Sequence, residues 1–320
     1  MTVGRLVYLL YFKPLSSIRQ SIREGGPINQ AITRRGRLAM QEAALQLQPA
    51  PYSHSPSRSL LQVHVLSGRR FWYQTVFCLR SFIAHAHGAS IQPIIYDDGT
   101  LDSYHNHLLR IFPSATFVSY AESTAKLKQN LPKTKFPHLH ERWHNYPNIR
   151  KLIDPHLGSS GWKLVLDSDM LFFRRPTALL DWLTKPVMPM HMLDVEESYG
   201  YNRVALSNLA GADLPDRLNA GICGLSSEQL DWEQMENWIK NLHQNFGSSY
   251  YLEQALVAML LSARPCAIAP AGDYVTWPDS EETHSPKGVM HHYVAESKID
   301  YFRYGWKACL SRMLHGCSGR

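Results

Sequence analysis

The chain has 320 residues, 44% of them apolar, enough for one large or two modest domains with a proper core, so disorder is not its default state. Its net charge of +6 is accounted for by residues 1–37, where seven basic residues face Glu24 alone; the neutral remainder carries no basic stripe and speaks against nucleic-acid binding. Five cysteines, odd in number and without CxxC spacing, speak against a disulfide framework or a zinc site and fit a reducing, cytoplasmic compartment.

Residues 6–12, "LVYLLYF", fall well short of the roughly 20 residues that a spanning helix needs, and no small-residue cleavage signal follows them. With the basic residues behind it, this segment reads either as a peripheral contact with the cytoplasmic face of a membrane or as a loosely docked arm. "QLQPAPYSHSPSRS", residues 46–59, is a Pro- and Ser-rich linker. Residues 1–59 are therefore expected to form an arm and linker, 60–300 the folded domain, and 301–320 a basic, aromatic tail.

From residue 60, "LLQVHVLSG" reads as a buried strand, followed by a helix over 69–86. "IQPIIYDDG" is a second strand ending in Asp97, Asp98 and Gly99, "LDSYHNHLLRIF" a helix, and "ATFVSY" a third strand. A less regular, proline-containing stretch leads to a helix over 148–157 and a fourth strand over 163–166. Beyond it, "KPVMPMHML" and "RLNAGICGL" read as strands. "SEQLDWEQMENWIKNLHQ" is an amphipathic helix capped by Ser226 or Ser227, "SSYYLEQALVAMLLS" a second helix with its own Ser cap, and "GVMHHYV" a last strand-like run. Strands alternating with helices predict an α/β domain with a mostly parallel sheet, in which ligands gather at the carboxyl ends of the strands. Asp97 and Asp98 sit at one such end and Asp167 and Asp169 at another, so the two clusters are expected to share a crevice.

The second cluster lies in "KLVLDSDMLFF", where two carboxylates are bracketed by apolar runs and must be neutralised. Two acids two residues apart at a strand end can reach one hard divalent cation, Mn²⁺ or Mg²⁺, that keeps positions open for phosphate oxygens. The duller explanation of any Asp-x-Asp is a solvated turn, as it is for Asp97 and Asp98 before a glycine. By the same chemistry His291 and His292 are both candidate ligands. The duller explanation of Asn219 is a tie between a strand end and a loop, and that of Gly221 close backbone packing.

Several of these stretches, in order over roughly residues 60–298, resemble the metal-dependent nucleotide-sugar glycosyltransferases of the GT-A fold, most closely the family-8 type that includes glycogenin and bacterial galactosyltransferases. "KLVLDSDMLFFRRP" looks like that family's DxD strand, "LNAGICGL" like its Asn-x-Gly strand with Asn219 and Gly221 in place, and "YYLEQALV" like its Asp-Gln helix start. "HYVAESK" resembles its His-x5-Lys element. The resemblance implies a single GT-A domain with a Rossmann-like sheet and a metal held by Asp167, Asp169 and His292, since six residues on from His292 is Lys298 and from His291 is Ser297. It further implies Lys298 at the pyrophosphate, Lys151 as a basic donor contact, Glu253 or Gln254 at the donor sugar, a UDP-sugar donor, transfer with retention, and a glycan, lipid or protein acceptor. With such a donor, Asp98 is a candidate ribose or base contact and Asp194 a candidate partner for a sugar hydroxyl. The departures are Glu253 where the family has Asp, Ala295 where it has Gly, and Ile299-Asp300 where it has Pro-Trp.

Two other readings compete. A haloacid-dehalogenase-type phosphohydrolase would use Asp167 as nucleophile with Asp273 and Asp279 as late acids, but Leu171 stands where that motif wants Thr or Val. A scaffold that binds nucleotide sugars without turnover is opposed by the intact Asp167, Asp169 and His292. The acceptor surface is expected from residues 196–215 and the aromatic run 301–306.

Overall fold

A computed structural model describes residues 25–50 and 60–315; the apolar segment 6–12 and most of the linker lie outside it. The strands are β1 (Leu60–Ser67), β2 (Ser90–Asp97), β3 (Thr116–Val118), β4 (Trp162–Leu166) and β5 (Met170–Phe172). They continue as β6 (Met190–Leu193), β7 (Leu218–Ser226), β8 (Ala267–Ile268), β9 (Tyr274–Thr276) and β10 (Met290–His292). Seven of them form one sheet in the order β3-β2-β1-β4-β7-β6-β8, in which only β7 runs against its neighbours. The other three form a small sheet, β5-β10-β9.

Period-two alternation divides the interior. Leu164 and Leu166 of β4 join the core on one face of the large sheet, and Val165 between them joins the core on the other. β7 is buried at every position, as a strand covered on both faces must be.

The helices used below are α1 (Pro27–Gln46), α2 (Trp72–His85), α3 (His105–Ile111), α4 (Tyr120–Asn130), α5 (Pro137–Asn145) and α6 (Arg150–Ile153). After them come α7 (Arg203–Ala210), α8 (Trp232–Phe246), α9 (Leu252–Leu260) and α10 (Trp306–His315). No helix among the described residues is long and apolar enough to cross a membrane.

The structure differs from the sequence reading at both ends. Pro27 opens α1 at a position where its missing N–H costs nothing, and α1 buries Met40 and Ala44 in the main core. At Gly36 a Cβ would lie 2.1 Å from the Phe302 carbonyl oxygen, so the helix docks through a position that only glycine can fill. Arg303 secures the contact, its Nε donating to Thr33 Oγ1 at 2.9 Å and its Nη2 to the Asn29 carbonyl at 2.8 Å. This stretch of the expected arm is thus part of the folded body. So is the start of the expected tail: Tyr301, Phe302 and Trp306 are all buried against α2 and its neighbours, which removes these three rings from the acceptor surface, while Tyr304 stays exposed.

Two helix starts also differ. α8 is capped by Asp231, whose side chain accepts from Gln234 N, and not by Ser226 or Ser227, because Ser226 still belongs to β7. α9 begins after Tyr251 with no side-chain cap, Ser249 Oγ instead accepting from Tyr251 N at 3.1 Å in the preceding turn. The proline-containing stretch before β4 holds α4 and α5; a Ser119–Glu122 capping box, present in the sequence as "SYAE", starts α4.

Candidate metal and phosphate site

Three residues, Asp167 to Asp169, separate β4 from β5 and carry the chain from the large sheet into the small one. β10 pairs antiparallel with β5, setting His292 opposite Met170 and His291 opposite Leu171. Neighbouring side chains on a strand point to opposite faces, so only one of the two histidines can turn toward the acids. His292 does: its Nε2 lies 3.2 Å from Asp169 Oδ1 and 3.7 Å from Asp167 Oδ2. His291 turns away, Nε2 standing 2.8 Å from Glu282 Oε1 and Nδ1 3.1 Å from the Tyr293 hydroxyl.

β7 completes the floor. Asp167 N donates to the Gly221 carbonyl at 2.8 Å, and a Cβ on Gly221 would stand 2.5 Å from His292 Cε1, so glycine here makes room for the ring. Asn219 Oδ1 accepts from Gly221 N at 2.8 Å, while its Nδ2 donates to Asp194 Oδ2 at 2.9 Å. Gln254 Nε2 donates to the Ser198 carbonyl at 3.0 Å, and its Oε1 accepts from Ala220 N at 3.3 Å. Asp194, Asn219 and Gln254 therefore line one wall as a connected polar surface.

Two ammonium groups hold the acids from either side. Lys298 Nζ is 2.8 Å from Asp169 Oδ2; Lys151 Nζ is 2.5 Å from Asp167 Oδ1 and 3.4 Å from Glu253 Oε2. Burial alone would raise the Asp169 carboxyl, but Lys298 and His292 outweigh it and hold the group well below the usual carboxylate range. Glu253 goes the other way: burial, only partly offset by Lys151 and reinforced by the Asp167 charge, pushes it up to about 7. Lys151 is likewise disfavoured by burial, yet Asp167 and Glu253 keep it above the ordinary lysine value.

The acids and the imidazole fit a divalent cation. One ligand atom from each of Asp167, Asp169 and His292 lies within 4.8 Å of the others. Asp169 Oδ1 is buried and makes no hydrogen bond although His292 Nε2 is only 3.2 Å away. A buried acceptor without a donor is costly, and coordination to a shared cation would satisfy both atoms. Two carboxylates beside an imidazole are a donor set that Mn²⁺ or Mg²⁺ accepts.

Of the residues singled out in the sequence, Lys151, Asp167, Asp169, Asp194, Asn219, Gly221, Glu253, Gln254, His292 and Lys298 all line one cleft. Asp98 does not. Its Oδ1 accepts from Thr100 N at 2.9 Å and Thr100 Oγ1 at 2.6 Å, so its bonds close on its own turn. The late acids of the phosphohydrolase reading are also elsewhere: Asp273 pairs with Arg174 at 2.9 Å, and Asp279 caps the helix Ser280–His284. Asn148 and Trp277 line the cleft without having been singled out, since no motif marks them; Tyr250 and Tyr251, which open the "YYLEQALV" run, and Ser198, in the stretch 196–215, line it as well. Trp277 sits there with φ 56°, a left-handed conformation that is costly for a bulky residue.

The architecture and the placement of this cleft define the class: the chain has the GT-A glycosyltransferase fold. No protein-family model matches the sequence, and no curated protein matches it. Among solved structures, the galactosyltransferase LgtC, in complex with donor and acceptor sugar analogues, superposes with a TM-score of 0.51 at 14% identity, over 79% of this chain and 95% of its own. Mouse xyloside xylosyltransferase 1, in its apo form, gives 0.50 at 10% identity over 73% and 97%. Identities this low speak to the fold alone.

Proposed function

We propose that this protein is a metal-dependent glycosyltransferase that moves a sugar from a nucleoside diphosphate sugar, with UDP as the nucleotide, to an acceptor hydroxyl with retention of configuration. The observation that carries the reading is the cluster of Asp167, Asp169 and His292 with Lys298 and Lys151 beside it, at the carboxyl end of a sheet strand. Asp167, Asp169 and His292 would hold Mn²⁺ or Mg²⁺, which when bound offsets the negative charge of a departing diphosphate.

The chain's own groups do the rest. Lys298, 38% exposed and paired with Asp169 at the edge of the cleft, would offer its ammonium to a phosphate oxygen. Lys151 sits mostly buried, 12% exposed, between Asp167 and Glu253 and keeps two acids close together in the floor. Asp194, tied to Asn219, presents a carboxylate to sugar hydroxyls, and Gln254 fixes the strand and loop beneath them. The described free thiols Cys78, Cys223, Cys266 and Cys309 accord with the cytoplasm, the compartment we assign.

The test is a panel of nucleotide sugars incubated with Mn²⁺. A transferase releases nucleoside diphosphate; release of inorganic phosphate points to a phosphohydrolase, and release of neither, with nucleotide bound, to a scaffold.

A further inference from the structure

The mouth of the cleft carries aromatic side chains that the chemistry above does not use. Tyr250 is 73% exposed, Phe246 51% and Tyr251 43%. They are not scattered. Tyr250 and Tyr251 meet edge to face with centroids 5.3 Å apart, and Tyr201 meets Phe246 in the same way at 6.4 Å. The two pairs belong to one ridge, because Gly200, at φ 70°, lies so close to the opposite segment that a Cβ would stand 2.1 Å from Ser249 Oγ and 3.0 Å from Tyr251 Cβ.

The backbone beneath is fixed. Tyr146 hydroxyl donates to the Tyr250 carbonyl, Tyr201 hydroxyl to the Gly247 carbonyl, and Ser249 Oγ accepts from Tyr251 N. Rings held out into water by a hydrogen-bonded frame have a use other than core packing. At one end the ridge is continuous with the cleft, whose lining includes Tyr250, Tyr251 and the half-exposed Val195.

We propose that the ridge Tyr201–Phe246–Tyr250–Tyr251 is a subsite for an apolar aglycone, so that the acceptor is a glycoside bearing an alkyl or aryl group beside its sugar. This rests on the glycosyltransferase reading for the word acceptor, though not for the binding itself. The rings offer flat apolar faces, and the two cations beside them are already paired, Lys298 near Tyr250 with Asp169 and Arg142 near Tyr201 with Glu141, which favours a hydrocarbon or aryl group over an anionic partner.

The experiment compares octyl β-glucoside, below its micelle concentration, with methyl β-glucoside, each titrated into the full chain with UDP and Mn²⁺ and followed by saturation-transfer NMR. The octyl compound is expected to bind at least about tenfold more tightly, and Phe246→Ser, a change at a half-exposed position outside the cleft, is expected to shrink that ratio to near one. Equal affinities in the parent protein, or a ratio untouched by the substitution, overturn the proposal. So does a concentration-dependent dimer in sedimentation that Phe246→Ser abolishes, since a second copy would then cover the ridge. Nucleoside diphosphate release without acceptor is measured separately; its absence would sink the transferase reading and leave the aglycone result standing.

Discussion

Two pairs of acids end two strands of the same sheet, and they meet opposite fates. Asp97 ends β2, Asp98 follows it, and one oxygen of each is spent within four residues: Asp97 Oδ1 accepts from Gly99 N at 2.8 Å and Leu101 N at 3.1 Å, and Asp98 Oδ1 from Thr100. Asp167 and Asp169 follow β4 and receive partners from far along the chain, Lys151 on one side and His292 and Lys298 on the other. One of their buried oxygens, Asp169 Oδ1, stays unbonded. Acids satisfied by their own turn define a bend. Acids neutralised by distant cations, with an acceptor left over, define a site.

A single buried guanidinium links the two. Arg150 Nη2 donates to the Asp97 carbonyl at 2.7 Å, while its Nε binds Asp154 Oδ2 at 2.8 Å and its plane packs 4.4 Å from the Trp143 ring. The next residue is Lys151, the partner of Asp167. The largest effect is therefore expected from Arg150→Met. It leaves Asp154 buried without its charge partner, and unfolding in urea should show a loss of about 3 to 5 kcal/mol. A loss below about 1 kcal/mol would mean that the two strand ends are held independently.

Next in size is Asp169→Asn. It removes a charge from the cation site while Lys298 remains, and Mn²⁺-dependent binding of the nucleotide should weaken at least about a hundredfold by calorimetry. Unchanged affinity would reduce the Asp167–Asp169 pair to a second turn like the first. An effect of comparable size separates the metal from the nucleotide: saturating Mn²⁺ alone, at about 100 times its Kd, should stabilise the protein by about 2.7 kcal/mol. In a domain of this size that is a rise in Tm of roughly 5 °C. The same rise in Asp169→Asn or His292→Phe would place the ion elsewhere.

Much of this contrast was legible in the sequence. β1, β2, β4 and β7 announce themselves as apolar runs, and the alternation with helices set the sheet. The choice of His292 over His291, made on its distance from Lys298 in the chain, has its physical cause in the β5–β10 register, which no local pattern reveals. The role of Asp98 was open for the same reason: a turn and a ligand contact use the same residue type, and only the bonds distinguish them. α1 was missed because its mean hydropathy is low and its docking depends on Gly36 meeting the Phe302 carbonyl, a contact between segments more than 260 residues apart. The aromatic tail read as a surface feature because aromatic residues suit both rims and cores, and its burial is decided by α2.

The smallest effect is expected at the first pair, and it sharpens the comparison most. Asp98→Asn keeps an acceptor at Oδ1, so Thr100 N and Oγ1 retain their partner and only the charge is lost. If the carboxylate serves the turn, stability should change by less than about 0.5 kcal/mol and the KM for donor by less than about twofold. The opposite substitution, Thr100→Val, removes a donor to the same oxygen and should cost about 1 kcal/mol. A donor KM raised tenfold by Asp98→Asn with stability intact would show that a ligand uses the charge, and the first pair would join the second as part of one site.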